Sequence, residues 1–306
     1  MSVLARPAVA ALAAKGFQRV VLLSERRSSP VRFPEYPRNT RELTIPTSVG
    51  PARAVVYSPA NAVEQPPVHV NFHGGGYILA LTELDDPLCR YLAAEAGVVV
   101  VNVDYAVAPQ HPFPEPPRQA FEVVRWVAEH SAEEGWDGTR LSIGGQSAGG
   151  GLAAAAARLA LEEGGPAIAL QVLHYPPLDL ATSFKDKGTP IKGSKLRPWM
   201  AEIFNNSYVP DPRDRADRLV SPGNPADTAD LTGIAPALVI TAQFDLLRPE
   251  AERYAERLRA AKALVELHDV ASADHGYDVR DDAKAREVYA LIAAQIRQAT
   301  QGRAPA

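Results

Sequence analysis

The chain has a single cysteine, Cys89, in 306 residues. An intrachain disulfide is therefore impossible, and a cysteine-rich metal site is excluded. Cys89 lies in Asp86-Pro87-Leu88-Cys89-Arg90-Tyr91-Leu92, a stretch with helical apolar spacing, and reads as a buried small hydrophobe rather than a nucleophile. Basic excess is absent too: 32 Lys and Arg against 36 Asp and Glu leave a net charge of -4. Nucleic-acid binding would need clustered cations. The pair Arg26-Arg27, flanked by Glu25 and two serines, reads as a solvated face or loop. No apolar run reaches the ~18–20 residues of a membrane span. The stretch Ala8–Ala14 is short and closely flanked by Pro7 and Lys15. It reads as the first turn or two of an amphipathic helix rather than a signal peptide, and the protein as cytoplasmic. His69 and His73 form the one His-x-x-x-His spacing, but on a strand. Four strand residues span roughly 13 Å, too far for both rings to hold one ion. No metal and no cofactor are expected.

What is present is a sizeable core, since 46% of residues are hydrophobic. Residues Ser28–Pro46 carry four prolines and many charges and read as extended or loop structure. Apolar runs suited to strands follow at Ala52–Tyr57, Val68–Phe72, Val98–Val103, Leu141–Gly144, Ile168–Leu173, Leu238–Thr241 and Leu264–Val270. Helical spacing marks Phe121–Glu129, the alanine-rich Gly151–Glu163, Pro249–Ala261 and Ala283–Arg297. This alternation implies an α/β fold with a mostly parallel sheet and helices on both faces. Residues from about Ala181 to Thr232 break the rhythm, with many prolines and no clear strand signal. A structureless loop that long is uncommon in a compact domain, so they read as a small helical cap, joined by about residues 1–45, on a single domain.

The strongest local signal is Gly145-Gln146-Ser147-Ala148-Gly149, which follows an apolar strand and opens a helix. That setting defines a nucleophile elbow. Its turn is tight, so glycine on either side avoids a collision, and Ser147 stands exposed at the positive end of a helix dipole. The second signal is His73-Gly74-Gly75-Gly76-Tyr77 at the end of another strand. Acyl transfer builds an oxyanion that needs backbone N–H donors, and glycines let the backbone approach it. No Lys-Ser or Lys-Thr follows, as a phosphate loop would require. A nucleophilic serine needs a base, and of seven histidines only His268 and His275 lie late enough for the chain order Ser, acid, His. His268 falls within a strand alternation; His275 sits in the loop after that strand and is the expected base. Asp245, at the C-terminal end of Pro236–Ala242, is the expected acid, with a helix N-cap as its other reading and Glu250 and Asp274 as reserves.

On these motifs the chain resembles the hormone-sensitive-lipase-like esterases of the α/β-hydrolase fold. The likeness runs from about Val68 to Tyr277 and includes Asp104–Pro114, Tyr175-Pro176 with Asp179, Asp245–Arg248 and His275-Gly276. The resemblance implies an eight-stranded core, a cap built from the N-terminus and an insertion, and metal-free hydrolysis of mostly short-chain esters. It also implies an oxyanion hole made of the N–H groups of Gly75, Gly76 and Ala148. Tyr77, Trp199, Phe204 and Tyr208 are expected to bind substrate, with Phe184 adding bulk to the cap. The expected partner is a small ester; a homodimer is left open. Three charges usual in the family are missing together: Gln146, Ala106 and Gln110 stand where Asp, Arg and Glu are common. Residues 146 and 106 are expected to be neighbours, a neutral contact replacing an ion pair. An amidase, or a ligand-binding module that has lost catalysis, stays as an alternative on the same fold.

Overall fold

The computed structural model describes residues 3–25, 31–60, 64–189 and 191–301; Arg26-Arg27 lies outside them. Helix α1 (Pro7–Glu25) carries the Ala8–Ala14 stretch in its first turns, as expected, and runs on to 19 residues. An eight-stranded sheet follows: β1 (Thr40–Ile45), β2 (Ala52–Tyr57), β3 (Pro67–Phe72), β4 (Val99–Asp104), β5 (Asp137–Gln146), β6 (Leu170–His174), β7 (Ala237–Ala242) and β8 (Leu264–Val270). Its spatial order is β1-β2-β4-β3-β5-β6-β7-β8. Strands β1 and β2 pair antiparallel, as do β2 and β4, and every other pairing is parallel. The connecting helices are α2 (Asp86–Ala96), α3 (Glu115–Glu129), the one-turn α4 (Ser131–Glu134), α5 (Ala148–Glu163), α6 (Pro198–Tyr208), α7 (Arg248–Ala260) and α8 (Asp282–Gln301).

Composition explains most of these placements. Strand β3 is buried along its whole length and β4 along all but its last residue, as continuous apolar runs require in a sheet covered on both faces. Helices α3, α5 and α7 share one apolar cluster with the sheet, and α2 and α8 share another with its opposite face. The alanines of α5 are buried from Ala153 to Ala157, so that helix lies close against the strands. Cys89 is fully buried in α2, and burial raises its thiol pKa well above the ordinary range. Strand β1 falls in the segment read as extended or loop structure. It is an edge strand whose residues are mostly exposed and polar, so it carries little apolar signal.

The segment after β6 holds α6 and a short 3₁₀ turn at Pro212–Ala216, with no strand among the described residues. Helix α6 is tied to the N-terminal segment: Asn206 Nδ2 donates to the carbonyl of Leu4 at 3.1 Å. Helix α1 is tied to the core through Gln18, whose Nε2 donates to the carbonyls of Ile78 (2.7 Å) and Ala108 (3.1 Å). No helix among the described residues is long and apolar enough to cross a membrane.

Candidate active site

The site lies past the C-terminal ends of the parallel strands, where loops from β3, β5, β7 and β8 converge. Ser147 occupies the turn between β5 and α5 with φ 51° and ψ −119°, a conformation few non-glycine residues adopt. Its amide donates to the His174 carbonyl at 2.9 Å, and the Gly151 amide donates back to the Ser147 carbonyl at 3.1 Å. The flanking glycines are enforced by backbone rather than by side chains. A Cβ on Gly149 would lie 1.7 Å from the Phe72 carbonyl oxygen, and one on Gly145 would lie 2.3 Å from the same atom. The elbow and the end of β3 are therefore pressed together, which brings the glycine-rich turn beside the serine.

Ser147 Oγ is 2.9 Å from His275 Nε2, and His275 Nδ1 is 2.7 Å from Asp245 Oδ2. An ionised Asp245 accepts Nδ1–H, which leaves Nε2 free to accept the serine proton. The N-cap reading of Asp245 is not met: Leu247 is the N-cap of α7, and Asp245 Oδ1 accepts the Leu247 amide at 3.0 Å in the turn ahead of the helix. Of the reserve acids, Glu250 is spent within the fold: it accepts the Leu178 amide at 2.7 Å and pairs with Lys187. Burial opposes a charge on His275, but the Asp245 carboxylate outweighs it through charge and hydrogen bonding, helped by Asp274 and Asp278. The imidazole pKa ends above the ordinary histidine value. Among the described residues, the amides of Gly75, Gly76 and Ala148 donate to no protein acceptor. Gly75 and Gly76 line the cavity that also contains Ser147, and Ala148 follows the serine in the chain and is fully buried.

A cavity of about 320 Å³ opens over the serine. Its walls are mostly apolar and include Phe17 of α1, Leu81, Leu84, Phe184, and Met200 and Phe204 of α6. Two of the expected substrate contacts, Tyr77 and Phe204, line it, and two do not. Trp199 is 50% exposed. It belongs to the first turn of α6 and projects outward, whereas Met200, Ala201, Phe204 and Asn205 share the inward face. Tyr208 is fully buried behind the wall, its ring stacked on Tyr77 with centroids 3.9 Å apart. Phe17 and Met200 escaped sequence reasoning, since nothing local marks which residues of α1 and α6 point into the cavity.

The expected contact between residues 146 and 106 is not made. Gln146 Nε2 donates to Asp278 Oδ2 at 2.9 Å. Asp278 is fully buried and also accepts Tyr175 OH at 2.7 Å and Tyr289 OH at 2.9 Å. Strand periodicity supplies the reason. Leu141 and Ile143 face the α3–α5 side of the sheet, so Gln146 falls on the α8 side. Ala106 is turned the other way, its amide donating to Gln119 Oε1 of α3 at 2.6 Å. Gln110 pairs instead with Gln18 of α1, donating through Nε2 at 2.9 Å.

Gln146→Asp would set two buried carboxylates face to face. We expect it to cost about 3 kcal/mol at neutral pH, or to raise one carboxylate pKa until it holds a proton. Adding Asp278→Asn should recover most of that loss. Urea unfolding of both single variants and the double variant measures the coupling, and purely additive changes would show that the two positions do not interact.

A serine bonded to a histidine–aspartate pair, set on a strand–turn–helix elbow of such a sheet, defines a serine hydrolase of the α/β-hydrolase fold. Comparison with known proteins agrees. A family model described as alpha/beta hydrolase fold matches residues 69–279. Carboxylesterase NlhH of Mycobacterium tuberculosis is 38% identical over 227 residues, covering 72% of this chain and 70% of that protein. Ethyl acetate hydrolase of Pseudomonas putida is 35% identical, covering 67% of this chain and 64% of that protein. Among solved structures, an esterase of Pyrobaculum calidifontis superposes with a TM-score of 0.82 at 33% identity, covering 94% of this chain and 92% of that one. The chain belongs to the hormone-sensitive-lipase-like family of α/β-hydrolases, and it is a carboxylesterase.

Proposed function

We propose that the chain hydrolyses short to medium acyl esters through a covalent acyl-enzyme, with Ser147 as nucleophile, His275 as base and Asp245 as the orienting acid. The carrying observation is the unbroken hydrogen-bond line from Ser147 Oγ through His275 to Asp245. Oγ attacks the acyl carbonyl carbon while its proton passes to Nε2. The carbonyl oxygen gains negative charge within reach of the Gly75, Gly76 and Ala148 amides, which need no reorganisation to receive it. The imidazolium, stabilised by Asp245, then gives its proton to the departing alkoxide. Water enters, Nε2 takes one of its protons as its oxygen attacks the acyl carbon, and the acyl–Oγ bond then breaks as Nε2 returns that proton to Ser147 Oγ, releasing the acid. Helices α1 and α6 form the cap in this reading, closing the pocket with Phe17, Met200 and Phe204.

The acyl preference follows from size. A cavity of about 320 Å³ sits at the small end of ligand pockets. A relative named for ethyl acetate hydrolysis supports the same range. A series of p-nitrophenyl esters tests it: kcat/KM should peak at short to medium chains and then fall. A steady rise to long chains, with activation at an oil–water interface, would make the enzyme a lipase instead.

Activity should also fall as pH drops, since only neutral His275 can accept a proton. Because its carboxylate partners hold the imidazole above the ordinary value near 6.5, the acid limb of kcat/KM should lie above that value. For stability the sign is opposite. A raised folded pKa favours the protonated fold, so this contribution is present below about pH 6.5 and is lost as pH rises through the folded pKa. A pH–rate profile that stays flat down to about pH 4 would remove His275 as base.

A further inference from the structure

Two lysines line the cavity, and they are held differently. The Lys187 ammonium bonds the Glu250 carboxylate and the Asp179 carbonyl, the latter at 2.6 Å, so its charge is matched within the fold. Lys195 Nζ has only the carbonyl of Gly276, at 3.2 Å. Among the described residues no carboxylate lies within ion-pair distance of it. Gly276 directly follows His275, so this ammonium stands beside the base in the same cavity as Ser147. Its charge is poorly tolerated there. Burial lowers the Lys195 pKa and Arg280 and Arg32 push the same way, while Asp278 and Asp274 oppose them from a distance. Asp278 cannot swing across to help, because Gln146, Tyr175 and Tyr289 already occupy its oxygens.

A partly buried cation with one neutral acceptor, in a mostly apolar chamber, carries an uncompensated desolvation cost. An anionic group on a bound ligand removes that cost and gains a charge-assisted hydrogen bond. We propose that Lys195 is a specificity residue that recognises a carboxylate on the ester substrate, so that half-esters of dicarboxylic acids, or esters of hydroxy acids, are preferred over neutral esters of the same size. This rests on the ester-hydrolase reading above and narrows its substrate class. Unlike the apolar wall, which sorts substrates by length, Lys195 sorts them by charge.

The experiment pairs each anionic ester with a neutral one of matching size, followed by pH-stat at neutral pH. Monomethyl glutarate against methyl hexanoate places the carboxylate on the acyl arm. Butyryl glycolate against propyl butyrate places it on the alcohol arm. In the wild-type enzyme at least one anionic ester should match or exceed its neutral partner in kcat/KM. Lys195→Met should lower that anionic-to-neutral ratio by about ten- to a hundredfold, the worth of one hydrogen bond to a charged group. Lys195→Arg should keep most of it. Turnover of the neutral esters reports separately on the hydrolase reading itself. The proposal is overturned if the wild type hydrolyses each anionic ester with a lower kcat/KM than its neutral partner. It is equally overturned if Lys195→Met slows both members of a pair alike, since the lysine then only props the Gly276 carbonyl.

Discussion

Ser147→Ala should abolish nearly all ester hydrolysis, with a loss on the order of 10⁶-fold in kcat. The substitution removes the oxygen that bonds His275 Nε2 at 2.9 Å and leaves the rest of the site in place. Alanine fills the same space, although the positive φ of 51° remains costly for any residue with a Cβ. The fold should therefore persist, which circular dichroism and thermal unfolding can establish before kinetics are read. Residual hydrolysis from the oxyanion donors and from binding alone should stay far below wild type. A purified variant keeping more than a few per cent of activity would exclude Ser147 as nucleophile.

Asp245→Asn should cost roughly 10⁴-fold in kcat while leaving substrate binding nearly intact. An amide in place of the carboxylate can present its NH₂ to Nδ1. That forces the imidazole into the tautomer with its proton on Nε2, where it can no longer accept from Ser147. The loss of charge also removes the main influence that raises the His275 pKa, so residual activity should show its acid limb at lower pH than wild type. That displacement separates an acid acting on the histidine from a merely structural aspartate, whose Leu247 contact an asparagine could preserve. A larger kcat loss at Glu250 or Asp274 would mean that the wrong acid has been assigned. Glu250 is disfavoured on geometry, because its oxygens are committed to Lys187 and to the Leu178 and Asp179 amides.

Much of this arrangement is legible in the sequence because it depends on short-range rules. The sheet strands betray themselves as β-branched runs, and a Gly-x-Ser-x-Gly string between strand and helix has few other uses. The His275 and Asp245 that hydrogen-bond in line with Ser147 follow from chain order once the strands are placed. What stays hidden depends on long-range geometry. Strand β1 is an exposed edge and looks like loop. Trp199 carries the right bulk for a pocket wall but sits on the outward side of α6, and no local pattern distinguishes it from Met200 beside it. The partner of Gln146 could not be inferred because side-chain direction along β5, not proximity of strand ends, decides it. Asp278 lies 132 positions away and carries no motif.

The Gln146–Asp278 bond joins the two halves of the chemistry mechanically. Gln146 adjoins Ser147, the proposed nucleophile, and Asp278 is three residues past His275, the proposed base, on the same short loop. Tyr175 completes the link, donating to Asp278 while its ring stands edge-on to the imidazole at 4.9 Å between centroids. The loop bearing the histidine is thus moored to the turn bearing the serine through buried polar contacts that solvent cannot easily exchange. On heating, such a loop has no cheap way to swing out alone. Catalytic competence should therefore disappear together with tertiary structure rather than several degrees before it, unlike enzymes whose base rides on a loosely held lid.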